Sequence, residues 1–303
     1  MSTKIKPLMK WAGGKTQIID TVMDLFPKEM ANYHEPFVGG GSVLLALLQK
    51  KGAGSIKVGT VLASDINANL IGLYKNVQSN PLQLIAELKI LCDEFTAITQ
   101  LKGNKKPLAL EDSKTSREAY YYWTRGVFNG LTAAEKVSPR GSAMVLFMNK
   151  TGFHGLYREG KNGGFNIPFG GAKTLSVPSQ EHIMSVSALI KDVIFTCCPF
   201  TEALAKTATG DFVYLDPPYA PINTTSFVSY TADGFDLEKH SALFKTIHNM
   251  KATGIKMLMS NASVKLVTDA FPGDQYEIKE VKCRRSCNAK DPAATATEVL
   301  IRN

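Results

Sequence analysis

Three short constellations in this 303-residue sequence carry side chains whose types and spacing could do chemistry. The first is Asp216-Pro-Pro-Tyr219, directly after the apolar run Val213-Tyr-Leu215. A strand there would deliver Asp216 at its carboxyl end, the edge at which open α/β sheets hold ligands. Two successive prolines fix φ and remove two donors, so the loop presents carbonyls and an aromatic face in a set geometry. A carboxylate, the Pro217 carbonyl and the Tyr219 ring make a receptor for a planar ring that carries an exocyclic amine. A strand-ending proline turn with a packed tyrosine is the plainer reading of the same residues.

The second is Glu35-Pro-Phe-Val-Gly-Gly-Gly-Ser42 together with Asp65, 24 residues beyond Gly41. Glycines after a strand let a ligand approach the backbone and a helix N-terminus. An acid at the end of the next strand can take both hydroxyls of a ribose. Leu44 stands where G-x-G-x-x-G needs its third glycine, which argues against a nicotinamide or flavin and fits another adenosine-bearing cofactor. Ordinary βα-turn chemistry also accounts for these residues. The third is Trp11-Ala-Gly-Gly-Lys-Thr16, whose Gly14-Lys15-Thr16 resembles the end of a phosphate loop. That loop needs a glycine where Met9 stands, and a preceding strand that is lacking here, so triphosphate hydrolysis is a poor reading and a glycine turn with a solvated lysine a plain one.

Other chemistry-bearing residues fall into no such pattern. Cys197, Cys198, Cys283 and Cys287 lack the paired spacing of a zinc site and read as packed or surface thiols. Of the histidines, His34, His182, His240 and His248 read as structural, and His154 stands apart for its loop. The aromatic cluster Tyr120–Trp123 reads as helix core. Arg284 and Arg285 fit either a phosphate contact or a solvated pair.

Elements of three textures must position these groups. Residues 1–75 alternate strand and helix patterns: a strand over Tyr33–Val38, a helix over Ser42–Lys51, a strand over Val58–Ser64 and a helix over Asn67–Val77. Strand, glycine turn, helix, strand and acid open a parallel α/β fold. Residues 78–175 differ, with helical spacing over Pro81–Gln100 and Arg117–Asn129, an apolar segment at Ala143–Met148, and then a glycine- and aromatic-rich loop through Ala172. Long structureless loops are uncommon unless functional. Alternation then returns: strands at Val193–Cys197, Phe212–Leu215 and Lys256–Ser260, helices over Leu237–Met250 and Val264–Phe271, and a closing hairpin of Tyr276–Lys282 with Thr297–Ile301. The expected architecture is one α/β domain formed by 1–77 and 176–303, interrupted by a mostly helical insertion at 78–175.

Composition narrows the class. The apolar fraction of 44% with 20% charged residues is that of a globular chain and excludes wholesale disorder. No apolar run approaches the roughly 18 residues of a membrane span, and Met1–Trp11 lacks the apolar core of a secretory signal. Five cysteines, an odd number, suit reduced thiols in a cytosol-like compartment. A formal charge of +8 and a pI near 9.1 lean towards a polyanionic partner, although a solvated basic surface has the same signature.

The ordered motifs together resemble the Dam family of DNA adenine-N6 methyltransferases (D12 class). The likeness rests on Lys10-Trp-Ala-Gly-Gly-Lys15, Glu35-Pro-Phe-Val-Gly, the Asn149–Gly170 loop with Phe165-Asn-Ile-Pro-Phe-Gly170, Asp216-Pro-Pro-Tyr219-Ala-Pro221 and Val281-Lys-Cys-Arg-Arg-Ser286. These run over most of the chain in the order cofactor loop, target recognition, catalytic motif. The resemblance implies a Rossmann-like α/β sheet for S-adenosylmethionine-dependent methyl transfer, with an inserted helical target-recognition domain. It implies cofactor contacts from Trp11, Lys15, Phe37, Gly39, Asp65 and Asp216, and catalysis by Asp216 and Pro217 with Tyr219 stacked on a flipped adenine. DNA contacts would come from Phe153, His154, Leu156, Arg158, Pro168, Arg284 and Arg285, with Arg158 reading a base. His154 stands where a close relative has asparagine, and Cys287–Thr297 lacks the basic, glycine-containing pattern that follows the paired arginines in the family. The partner is then double-stranded DNA, with GATC as the site by resemblance; no metal, no membrane and a monomeric state are expected, in the cytoplasm of a bacterium or of a phage- or virus-infected cell. An RNA adenine methyltransferase, or a DNA-binding homologue without catalysis, stays open, since the tetrapeptide does not report the sugar.

Overall fold

Short runs of β-branched and aromatic residues form seven strands of one sheet in a computed structural model, which describes residues 4–220, 235–284 and 295–303. They are β1 (Tyr33–Glu35), β2 (Val61–Asp65), β3 (Ile194–Cys197), β4 (Phe212–Leu215), β5 (Lys256–Ala262), β6 (Glu277–Arg284) and β7 (Thr295–Arg302). Their spatial order is β3-β2-β1-β4-β5-β7-β6. The first five are parallel, whereas β7 runs antiparallel to both β5 and β6. Strand order reverses between β1 and β4, so the crevice outside their carboxyl ends is the place where such a sheet takes a ligand. Glu35, Asp65 and Asp216 all lie at or just beyond those ends.

Every residue of β4 is buried, as befits a central parallel strand covered on both faces. The period of two sorts the side chains. Val213, Leu215, Met257, Met259, Val299 and Ile301 share one face and form a core with Leu243 and Ile247 of the helix Leu237–Ala252. The other face carries Tyr33, Phe212 and Tyr214, packed with Phe26.

Cα packing divides the chain into two compact units. One, built from Gly13–Ile66 and Asp192–Asn303 apart from a few leading residues, contains the whole sheet. The other, Ile5–Ala12 with Asn67–Lys191, is helical. The division falls at other points than the expected 78 and 175. The helix Ala68–Ser79 packs on Pro81–Ala97, Pro139–Thr151 and Gln180–Leu189, so its contacts assign it to the helical unit. Asn76 shows how: its Nδ2 donates to the Val137 carbonyl at 2.7 Å and to Ser142 Oγ at 2.9 Å. Pro139–Thr151 buries Ala143 through Asn149 without a break, the pattern of a helix at the centre of a bundle.

Several element bounds differ from expectation for local reasons. The first strand stops at Glu35 because Pro36 has no N–H to give the ladder. The run expected over Val58–Ser64 is broken: Lys57–Val58 pairs with Glu29–Met30 in a separate two-stranded sheet, and Gly59 N–H turns to the Ala31 carbonyl at 2.9 Å. The helix Gln180–Leu189 is additional; it buries only Ile183, Val186 and Ser187, too few to register as apolar spacing.

Candidate active site

Gly39 and Gly41, at φ 47 and 74, take the left-handed conformation that turns the chain from β1 into the helix Ser42–Gly52. Gly39 N–H donates to Asp65 Oδ2 at 3.1 Å, which ties the turn to the end of β2. Phe37, one residue past Pro36, stacks on Phe200 at 5.5 Å and meets Phe235 edge-on at 5.9 Å. Acid, left-handed glycine turn and helix N-terminus suit an adenosine-bearing ligand, and the donor set fits S-adenosylmethionine.

The same unit brings Lys15 to Asp216, 201 residues apart in sequence. Lys15 Nζ lies 2.7 Å from Asp216 Oδ2, with side-chain exposures of 1% and 18%. The ammonium also donates to the Gly13 carbonyl and sits 5.0 Å from the centre of the Tyr219 ring, and Lys15 N–H donates to Ser42 Oγ at 3.1 Å. Lys15 is thus not the solvated turn lysine that its flanking residues suggest: it is buried and paired. Burial pushes the Asp216 carboxyl from 3.8 up to about 6, while the Lys15 charge and hydrogen bond pull it down. Lys15 therefore keeps Asp216 an acceptor at neutral pH.

The loop beyond Asp216 is tied along its length. Pro217 is buried. The Pro218 carbonyl lies 3.2 Å from His240 Nε2, Tyr219 OH donates to Glu298 Oε2 at 2.7 Å, and Ala220 N–H donates to Asn261 Oδ1 at 3.1 Å. Glu298, Asn261 and His240 stand in none of the motifs; nothing in their spacing marks them. Glu35 is also buried and accepts the Tyr33 hydroxyl at 2.7 Å.

The helical unit holds the remaining candidates other than the paired arginines. Trp11 stacks on Tyr157 at 5.2 Å. Buried Asn149 accepts Lys10 N–H at 3.0 Å and donates to the Lys10 carbonyl at 3.0 Å and the Gly155 carbonyl at 2.7 Å, so one amide fixes two segments. Phe153 is 45% exposed and meets the exposed His154 edge-on at 4.1 Å. His154 has φ 56, a conformation in which asparagine and histidine are both enriched, so the exchange at this position is one the backbone permits. Leu156 is half-buried, Arg158 exposed with Nε donating to Asn166 Oδ1 at 2.7 Å, and Pro168 exposed with its carbonyl accepting Phe153 N–H at 2.9 Å. Arg284 ends β6, and Arg285 and Cys287 lie outside the described residues. Among the described residues no helix is long and apolar enough to cross a membrane.

Comparison with known proteins bears on this arrangement. A model of the D12 class N6 adenine-specific DNA methyltransferase family matches residues 11–287. The chain is 37% identical to the type II methyltransferase M.MjaIII of Methanocaldococcus jannaschii, over 95% of this chain and 94% of that one. It is 28% identical to the type II methyltransferase M1.LlaDCHI of Lactococcus lactis subsp. cremoris, over 99% and 95%. A DNA adenine methylase of Vibrio cholerae is 30% identical over 98% and 95%.

Proposed function

Because the chain belongs to the D12 class of N6 adenine-specific DNA methyltransferases, we propose that it moves the methyl group of S-adenosylmethionine to an adenine flipped out of duplex DNA. The observation that carries this reading is the pair of buried Lys15 with half-buried Asp216 beside the Tyr219 ring, at the switch point of the sheet. The donor supplies a methyl on sulfonium, already a good leaving group. Asp65 would take the ribose hydroxyls, and Phe37 and Gly39 would line the adenosine end.

The adenine N6 lone pair is delocalised into the ring and is a poor nucleophile. Asp216 carboxylate and the Pro217 carbonyl each accept an N–H of the amine, which localises that lone pair. The same acceptors stabilise the positive charge that grows on nitrogen as the N–C bond forms and the S–CH3 bond breaks; the donor leaves as a neutral thioether, and the methylated nitrogen then loses one N–H proton to solvent. Holding amine and methyl in line provides much of the remaining acceleration. Opening the duplex costs a few kcal/mol, and stacking on Tyr219 returns part of it.

The helical unit is the target-recognition insertion in this reading. Phe153, His154, Leu156 and Pro168 line the opened duplex, Arg158 reads a guanine, and Arg284 and Arg285 contact phosphate. GATC is the site, and the protein acts as a monomer in the cytoplasm. The test is transfer of labelled methyl from S-adenosylmethionine to duplex DNA and to RNA, with the product position mapped by sequencing. N6-methyladenine in duplex DNA alone supports the reading; methylation of RNA alone, or none, removes it.

A further inference from the structure

The Tyr219 ring is held at its hydroxyl end by a residue outside every catalytic motif. Glu298 sits on β7, opposite Ala262 of β5 and Val281 of β6. Register and the period of two put it on the face that carries Tyr214 and Ser260, whose hydroxyls meet at 2.8 Å. Glu298 Oε2 accepts the Tyr219 hydroxyl at 2.7 Å. Cys283, two residues beyond Val281, shares this face; burial and then the Glu298 charge push its thiol up to about 11, so it faces the carboxylate uncharged. Burial also holds the Tyr219 phenol well above its ordinary range, and its O–H stays a donor at neutral pH.

Two further contacts complete the restraint. Asn261 takes Ala220 N–H at 3.1 Å, fixing the backbone just after the ring. Lys15 Nζ lies 5.0 Å from the ring centre, so the ring lies against a buried cation. Without a partner at the hydroxyl, the ring could swing about its side-chain torsions, and a base would meet a distribution of faces. Fixing it beforehand removes that cost from the flipped complex.

We propose that Glu298 is a positioning residue for methyl transfer, holding the Tyr219 ring at the tilt on which the target adenine stacks. The inference rests on the reading of Tyr219 as the stacking face. Its test uses the full chain with Glu298→Ala, Glu298→Gln, Tyr219→Phe and the Glu298→Ala/Tyr219→Phe double variant. Single-turnover methylation of a duplex is measured alongside the fluorescence of 2-aminopurine placed at the target position. Glu298→Ala should slow methylation about tenfold and lower the fluorescence, with cofactor affinity unchanged. Glu298→Gln keeps an acceptor and should restore most of the rate. Tyr219→Phe cuts the same bond from the other end and should reproduce the loss, and Glu298→Ala should add less than about twofold in that background.

A wild-type rate in Glu298→Ala, or an equal further loss in the Tyr219→Phe background, overturns the proposal. Should Glu298→Ala not fold, Tyr219→Phe decides alone, since an undiminished rate there also overturns it. Full methylation by Tyr219→Ala would remove the stacking reading itself. Loss in Tyr219→Ala with full rates in Tyr219→Phe and Glu298→Ala would remove only the role of Glu298.

Discussion

Glu35 offers a quantitative test of how the carboxyl edge of the sheet is built. It closes β1, is 3% exposed, and has the Tyr33 hydroxyl on its carboxyl. Burial pushes this carboxyl from 4.5 up to about 8, against the pull of the Tyr33 hydrogen bond and with help from the Asp216 charge. The native protein therefore binds a proton at neutral pH that the unfolded chain releases. Its stabilising contribution is fully present below 4.5 and is lost as pH rises through about 8. The slope between those limits is about 1.4 kcal/mol per pH unit, so roughly 2–3 kcal/mol disappears between about pH 6 and about pH 8. Glu35→Gln keeps an acceptor for Tyr33 and removes the titration. Urea unfolding of both proteins at the two pH values should show the wild type losing that amount relative to the variant. Asp216 has the same sign, but its window of 3.8 to about 6 lies below this range. Parallel pH dependences for the two proteins would refute the assignment of a buried proton to Glu35.

Further outcomes concern Asp216, Asp65 and Arg158. In the proposed mechanism Asp216 acts as a carboxylate, so kcat should fall as pH drops below about 6, and Asp216→Ala should abolish methylation while calorimetry still detects S-adenosylmethionine binding. Asp65→Ala should weaken cofactor binding by about 1–3 kcal/mol, the worth of charged hydrogen bonds to ribose hydroxyls, and leave DNA affinity without cofactor unchanged. Arg158→Ala should lower activity on the preferred site and relax preference at one base, with the salt dependence of DNA binding unchanged, as a panel of singly altered duplexes at two salt concentrations reports. A uniform loss across that panel, with a flatter salt slope, would make Arg158 a phosphate contact.

Local patterns determined a good deal of this protein. Val213-Tyr-Leu215 ahead of Asp216, and the glycines ahead of Ser42, read as strand ends because β propensity and glycine turns act within a few residues. The motifs carried the family for the same reason: their residues are contiguous, so identity and order survive in one dimension. Tertiary structure alone decided the rest. The reversal of strand order between β1 and β4 makes a crevice of two loops about 180 residues apart in the chain. Burial makes Lys15 the charge partner of Asp216, although its flanking Gly14 and Thr16 suggest a solvated turn. Helix packing moved Ala68–Ser79 into the other unit despite its place directly after β2. Glu298 and Asn261 belong to strands whose patterns speak only of alternation; parallel pairing of β5 with β4 brings Asn261 to Ala220, and the antiparallel register of β7 on β5 brings Glu298 to Tyr219. A side chain's chemistry is set by the field, solvent and partners around it, and for these residues the deciding partner is supplied by a distant part of the chain.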